Sequence, residues 1–354
     1  MGADREQQLA CRSPSHLDQV ISVNLCTDQF DFLTAAERIK PHVRRTPMVP
    51  SESLSERAGV PISLKLEHLQ TTGSFKLRGA TNAVSKLTAD QRQKGVVCVS
   101  TGNHGRALAY AAKKAGISCT ICMSRLVPQN KVDAIAKLGA DIRITGASQD
   151  EAQLEADRLV LQEGLVLLPP FDHPDIISGQ GTLGLEILEE VPEVQTVLVP
   201  LSGGGLIAGV AVALKAARPS VKVVGLSMER GAAMAASLTA GRPVQVTEEP
   251  SLADSLGGGI GLDNQFTFET TREIVDDIVL LTEAEIATGI RHAYWQERQV
   301  VEGSGAVGIA GLLAGKANPI GPVAVLVTGC NIDMNLHHRV ISGEDVDLAK
   351  SEEA

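Results

Sequence analysis

Short runs of apolar residues alternate along this chain with longer stretches whose apolar positions recur at helical spacing. Phe30–Ile39 reads as a helix that Asp28 or Asp31 can cap and Pro41 stops. An extended Arg44-Arg45-Thr46-Pro47 segment follows, then a short helix from Ser51 to Ala58 and the apolar-rich run Ile62–Glu67. From Val84 onward the rhythm is regular. Strand Val96–Ser100, helix Gly102–Gly116, strand Ile117–Met123, helix Gln129–Leu138, strand Ile142–Thr145, helix Gln149–Glu163 and strand Leu165–Leu168 succeed one another. Pro169-Pro170 marks a crossing between two lobes. The rhythm then repeats with helix Gln180–Glu190, strand Thr196–Pro200, helix Leu206–Ala217, strand Val221–Ser227 and helix Ala232–Thr239. Helices Glu283–Gln296 and Gly305–Ala314 and a last buried strand Val323–Thr328 complete the pattern. Continuous apolar strands separated by helices predict an α/β fold with parallel sheets covered on both faces. Residues 1–27 are polar and aperiodic and are expected to be poorly ordered, and the acidic tail from Glu344 is expected to fray.

Composition narrows the function. The 354 residues are 44% hydrophobic and 21% charged, enough for a sizeable core. Aromatics make up only 3% and the net charge is −10, so the chain lacks the basic footprint and stacking residues of a nucleic-acid binder or a partner for anionic membranes. Six cysteines in this length do not form a disulfide scaffold. Cys119 and Cys122 form a C-x-x-C, but positions i and i+3 of a strand face opposite sides, so they read as buried thiols. No basic start followed by an apolar segment is visible, which makes the cytoplasm the expected location. The longest uncharged run, Val197–Leu214, is broken by Pro200 and Gly203-Gly204-Gly205 into strand, loop and helix.

Four stretches could carry chemistry. Lys76 lies within Gly73-Ser74-Phe75-Lys76-Leu77-Arg78-Gly79-Ala80. It is either a solvated ammonium or a partly buried amine of lowered pKa able to form a Schiff base. Ser100-Thr101-Gly102-Asn103-His104-Gly105 opens a helix after a strand, where backbone N–H groups bind an anion such as a carboxylate; a plain cap is the other reading. His104 there reads as a structural hydrogen-bonder or a general base. Ser202-Gly203-Gly204-Gly205 makes a phosphate cradle at a helix start, or a tight turn without a ligand. Its glycine spacing departs from G-x-G-x-x-G, although Glu229 lies past the next strand, so a nucleotide-binding module stays open as an alternative. Thr328-Gly329-Cys330-Asn331 ends a buried strand with a neutral hydroxyl that could meet a heterocyclic nitrogen.

A Schiff-base lysine, a phosphate cradle, a partner for a phenolic oxygen and one for a ring nitrogen are together what pyridoxal phosphate requires. These four motifs, in this order, resemble the threonine dehydratases and serine racemases, pyridoxal-phosphate enzymes of the tryptophan-synthase-β fold type; the likeness covers roughly residues 30 to 335. Within that group, Leu126-Val127-Pro128-Gln129-Asn130-Lys131-Val132-Asp133-Ala134-Ile135 and Ser227-Met228-Glu229-Arg230-Gly231-Ala232-Ala233-Met234 resemble the hydroxyectoine-utilisation dehydratases.

The resemblance implies a two-lobed fold, each lobe a mostly parallel twisted sheet flanked by helices. Residues 30–84 and 170–345 would form a large cofactor-binding domain and 85–169 a small one, after an extension at 1–29. It implies that Lys76 carries the cofactor and moves the Cα proton, that Phe75 packs beside the ring, and that Asn103 hydrogen-bonds the cofactor's 3′-oxygen. Ser202, Gly203, Gly204, Gly205 and Leu206 would hold the phosphate, and Thr328 would face the ring nitrogen. Thr101, Gly102, Asn103 and His104 would receive the substrate carboxylate. Thr101 stands where racemase-like relatives place a second acid/base serine, and its added methyl weighs against racemisation. Lys76-Leu77-Arg78 replaces the Lys-Asp-Arg of relatives that perform β-replacement. Ser227, Gly231 and Ala233 stand where some relatives present acids to a divalent cation, so no metal is expected. The implied activity is dehydration and deamination of a β-hydroxy-α-amino acid to a 2-oxo acid and ammonia, in hydroxyectoine catabolism, by a homodimer.

Overall fold

The computed structural model describes residues 28–348, apart from positions 101, 126, 128 and 148. The expectation of a disordered extension up to residue 27 lies outside the described residues. Among the described residues there are ten strands: β1 (Met48–Pro50), β2 (Ile62–Lys65), β3 (Val96–Val99), β4 (Cys119–Met123), β5 (Asp141–Ile144), β6 (Val166–Leu167), β7 (Thr196–Pro200), β8 (Lys222–Met228), β9 (Asp277–Leu281) and β10 (Val323–Leu326). They form two sheets, one of six strands in the order β1-β2-β10-β7-β8-β9 and one of four in the order β5-β4-β3-β6. Every pairing is parallel except β1 with β2. The apolar runs that read as buried strands are the central ones: all of β7 and all of β10 are buried. Parallel sheets need cover on both faces, and helices supply it.

Local chemistry explains most element ends. The first described helix spans Phe32–Ile39, and the Asp31 side chain accepts from the Thr34 N–H at its start. Ser51 caps Glu52–Ala58 in the same way, and Gly59 ends that helix in the left-handed region. Cys119 packs in the core on one face of the small sheet and Cys122 in the core on the other, and burial pushes their thiols up to about 12 and about 11. No helix among the described residues is long and apolar enough to cross a membrane.

Two expectations need correction. The helix expected from Gln180 begins at Pro174, with the His173 imidazole accepting from the Asp175 N–H. Pro174, Ser178 and Gly179 disguised its first turns as loop, yet Gly179, like Gly181 and Gly184 further along, is where another element comes close. A Cβ on Gly179 would sit 2.6 Å from the Gly79 Cα, and one on Gly209, in the Gly205–Ala217 helix, would sit 2.7 Å from the Gly181 nitrogen. The tail from Glu344 is not frayed as far as Leu348. Val346 is buried, and Arg230 donates to both Asp347 carboxylate oxygens at 2.8 and 3.2 Å.

The helix Lys76–Ser85 joins the two sheets' territories. Leu77, Ala80, Ala83 and Val84 share a core with β3 and β4, while Gly79 lies against the Pro174–Glu190 helix. Lys76 therefore starts a helix wedged between the lobes, at the carboxyl ends of the strands, where open α/β sheets present ligand sites.

Candidate active site

Three strand ends converge on Lys76. The Phe75 N–H donates to the Thr328 carbonyl at 3.1 Å, and Ser74 pairs with Gly329 in an isolated bridge. This stitch holds the start of the lysine helix against the end of β10. Gly73 must be glycine here: its φ is +77°, and a Cβ would lie 2.5 Å from the Asn331 Oδ1. From β3, the Ser100 hydroxyl accepts from the Gly102 and Gly105 N–H groups at 3.3 and 2.9 Å, shaping the turn into the helix Asn103–Ala115. From β7, the chain turns through Ser202-Gly203-Gly204 into the helix Gly205–Ala217, with Gly204 at φ +90°.

These turns open on one cavity of about 710 Å³. Phe75, Lys76, Gly102, Asn103, His104, Ser202, Gly203, Gly204, Gly205, Leu206 and Thr328 all line it. Every described site residue singled out from the sequence is thus brought to one place. Thr101 lies outside the described residues. The sequence reading passed over Phe171, Lys131, Asp254, Ser304 and Glu302, which share this wall. Glu302 carried the same signal as Lys76, a lone charge between Val300-Val301 and Gly303-Ser304-Gly305.

The electrostatics of the wall are unusual. The Lys76 Nζ donates to the Pro170 carbonyl at 2.8 Å and lies 5.4 Å from the Phe75 ring centroid. Burial holds its pKa down at about 8, so about a tenth of the amine is free at neutral pH, far more than for an ordinary lysine. His104 is buried, and its Nε2 contacts the Leu168 carbonyl at 2.9 Å. A carbonyl only accepts, so Nε2 carries the proton and Nδ1, which has no partner, presents a bare lone pair. Burial first, and the neighbouring Lys76 second, hold its pKa at about 3. His104 is a neutral imidazole rather than a proton-cycling base. Glu302 accepts from the Asn103 Nδ2 at 2.6 Å and from the Asn331 N–H at 2.9 Å. Burial, and then Asp254, push its carboxyl up to about 7 against those two hydrogen bonds.

The cavity suits a phosphorylated aromatic ring. A Cβ on Gly203 would meet the Phe171 ring at 2.3 Å, and one on Gly205 would meet the Phe171 backbone at 2.9 Å, so the cradle's backbone is bared by glycine. The buried hydroxyls of Ser304 and Thr271 have no partner, Ser304 on the cavity wall and Thr271 within 3.2 Å of where a Gly204 Cβ would lie. The Thr328 hydroxyl lies 3.4 Å from the Ser304 carbonyl. Among the described residues, no group of three His, Cys, Asp or Glu side chains could hold a metal ion.

Comparison with known proteins agrees with this chemistry. The profile of a family described as pyridoxal-phosphate dependent enzyme matches residues 39–329. A Sinorhizobium fredii protein provisionally named threonine dehydratase is 62% identical over 310 residues, covering 87% of this chain and 93% of the relative. The L-threonine ammonia-lyase of Thermotoga maritima is 43% identical over 313 residues, covering 88% of this chain and 77% of its own length. The solved structure of maize serine racemase is similar at a TM-score of 0.82 and 34% identity, over 89% of this chain and 98% of that one.

Proposed function

The chain belongs to the pyridoxal-phosphate-dependent enzyme family, and from that premise we propose that it removes water and then ammonia from a small β-hydroxy-α-amino acid, leaving a 2-oxo acid. The observation that carries the reading is the half-buried Lys76 amine, without a carboxylate partner in hydrogen-bond reach among the described residues, facing the same cavity as the glycine cradle. When bound, pyridoxal phosphate supplies the electron sink for the Cα bond that breaks. The chain supplies the rest. Lys76, with a pKa of about 8, takes the proton from Cα and stays close to the cavity through the Pro170 carbonyl. The helix starts at Gly205 and Asn103 offer positive potential to the phosphate and to the substrate carboxylate. Phe75 would pack against the ring, Asn103 would serve the 3′-oxygen, and the neutral Thr328 hydroxyl would face the ring nitrogen.

A threonine dehydratase and a threonine ammonia-lyase among the relatives support elimination from a hydroxy amino acid. The finer reading is that the substrate arises in hydroxyectoine catabolism, on the strength of the stretches around residues 126–135 and 227–234. A homodimer in the cytoplasm completes the proposal.

The test is a spectrum of the purified protein before and after borohydride, with peptide mapping. Reduction should fix the cofactor on Lys76, and threonine, serine and the hydroxyectoine-derived amino acid should be assayed for 2-oxo acid, ammonia and chirality of recovered substrate. A protein that stays colourless with pyridoxal phosphate and binds NAD or ATP would sink the lyase reading. Inverted substrate without 2-oxo acid would favour racemisation.

A further inference from the structure

Glu302 is a carboxylate enclosed in protein, 3% exposed, with no salt bridge to Lys, Arg or His among the described residues. It begins the helix Gly303–Leu313. Its main-chain N–H donates to the Gly329 carbonyl at 3.0 Å, and its carboxylate rests where a Cβ on Gly329 would come within 2.2 Å. Its two oxygens take the Asn103 amide and the Asn331 main-chain N–H. Asn331 closes the figure by donating its own amide to the Asn103 Oδ1, and to the Thr72 carbonyl at 3.0 Å. Asn103 is therefore fixed from both ends. The one amide proton left to it has only a 3.4 Å approach to the Ser255 hydroxyl, and it lies at the cavity wall.

We infer that Glu302 is a positioning residue: it turns the Asn103 amide so that this remaining proton serves an oxygen in the cavity, and its own charge governs how well an anionic oxygen is received there. The inference rests on the reading of Asn103 as the partner of the cofactor's 3′-oxygen. The groups facing Glu302 from neighbouring elements are Asp254, Lys131 and Cys330, with Arg106 beside Cys330. Asp254 disfavours the charged carboxylate and Lys131 favours it; these two are themselves joined by a short ion pair across the cavity mouth. The carboxyl thus changes charge near neutral pH. Ionised, it repels an oxyanion held one amide away; neutral, it removes that repulsion and still offers its carbonyl oxygen as an acceptor.

The experiment is a pH series of pyridoxal phosphate dissociation constants and visible spectra for the wild type, Glu302→Gln and Asn103→Ala. Both proteins carry the Lys76 titration, so the readout is their difference: relative to Glu302→Gln, the wild type should lose affinity as pH rises through about 7. The affinity of Glu302→Gln relative to the wild type should rise about tenfold between about pH 6 and about pH 8, whatever constant offset the lost acceptor oxygen brings, and the variant should lack the step in its spectrum. A Glu302→Gln profile that follows the wild type overturns the inference. An Asn103→Ala protein with wild-type affinity and spectrum overturns the reading of Asn103 instead. If Glu302→Gln does not fold, infrared difference spectra of the wild type decide. The signal of a protonated buried carboxyl should fade as pH rises through about 7 and shift on adding pyridoxal phosphate, and its absence overturns the inference.

Discussion

Lys76 and Arg78 leave one helix on opposite sides, two residues apart, and meet different surroundings. Arg78 enters a wall of carboxylates. It donates to Glu67 at 2.8 and 2.9 Å and to Glu186 at 2.7 and 2.9 Å, and Lys65 adds a second cation to Glu186 at 2.8 Å. Burial alone would lower the guanidinium's pKa, but Glu67 and then Glu186 override it and hold the charge firmly in place. Lys76 enters the cavity and finds a carbonyl and an aromatic ring, and burial lowers its pKa to about 8. A buried charge given its partners is structure; one denied them is a reagent held ready at a cost in stability. The contrast also explains why the lysine can point reliably into the cavity: the helix that carries it is anchored two residues later.

The strongest way to break the contrast is Arg78→Met. It leaves Glu67, fully buried, without its main counter-charge, and removing one partner of a buried pair costs about 3–5 kcal/mol. Denaturant unfolding of the apoprotein should show that loss. A loss below about 1 kcal/mol would mean that Arg78 is dispensable scaffolding and that the anchor lies elsewhere.

Lys76→Met should act in the opposite direction on stability while abolishing turnover. The folded-state pKa, about 8, is below the ordinary lysine value of 10.5, so the unfolded chain binds more protons between those values. Wild-type stability therefore rises with pH across that window, and below it the full cost of burying the ammonium is present. At neutral pH the variant should be more stable than the wild-type apoprotein by about 1–3 kcal/mol, with a flatter pH dependence above pH of about 8. Equal stability of the two at all pH values would show that cavity water already solvates the amine.

How much of this was legible in the sequence depended on context at single residues. The turns at 100–105, 202–205 and 328–331 were visible because Gly, Ser, Thr and Asn interrupt strongly apolar runs, and these interruptions are the strand ends that form the site. The lysine was visible for the same reason. The helix it begins was not, because Gly79, Thr81 and Asn82 are poor helix formers and only contact with Gly179 and its neighbours makes them suitable. The start of the Pro174–Glu190 helix was hidden likewise by Gly179, a glycine that packs against Gly79. The Arg230–Asp347 pair joins residues 117 apart, a closeness that no local pattern encodes. Glu302 had a local signal, but its meaning depends on Asn103, 199 residues away.

Glu302 sharpens the contrast, because it is a second charge on the cavity wall without an ion-pair partner among the described residues, of opposite sign and more deeply buried than Lys76. Its folded-state pKa is raised from 4.5 to about 7, so between those values the folded chain binds more protons than the unfolded one. Apoprotein stability then falls as pH rises from about 4.5 to about 7 and is level above, the reverse of the slope that Lys76 imposes at higher pH. Glu302→Gln removes the titration but keeps an oxygen for only some of the two donors, so part of the gain is given back. Relative to the wild type, the variant should gain about 1–2 kcal/mol between about pH 5 and about pH 8, read from denaturant midpoints at each pH. If the difference between the two proteins is instead constant with pH, Glu302 stays in one charge state throughout. It would then belong with Arg78, among charges that the fold has satisfied, and not with Lys76.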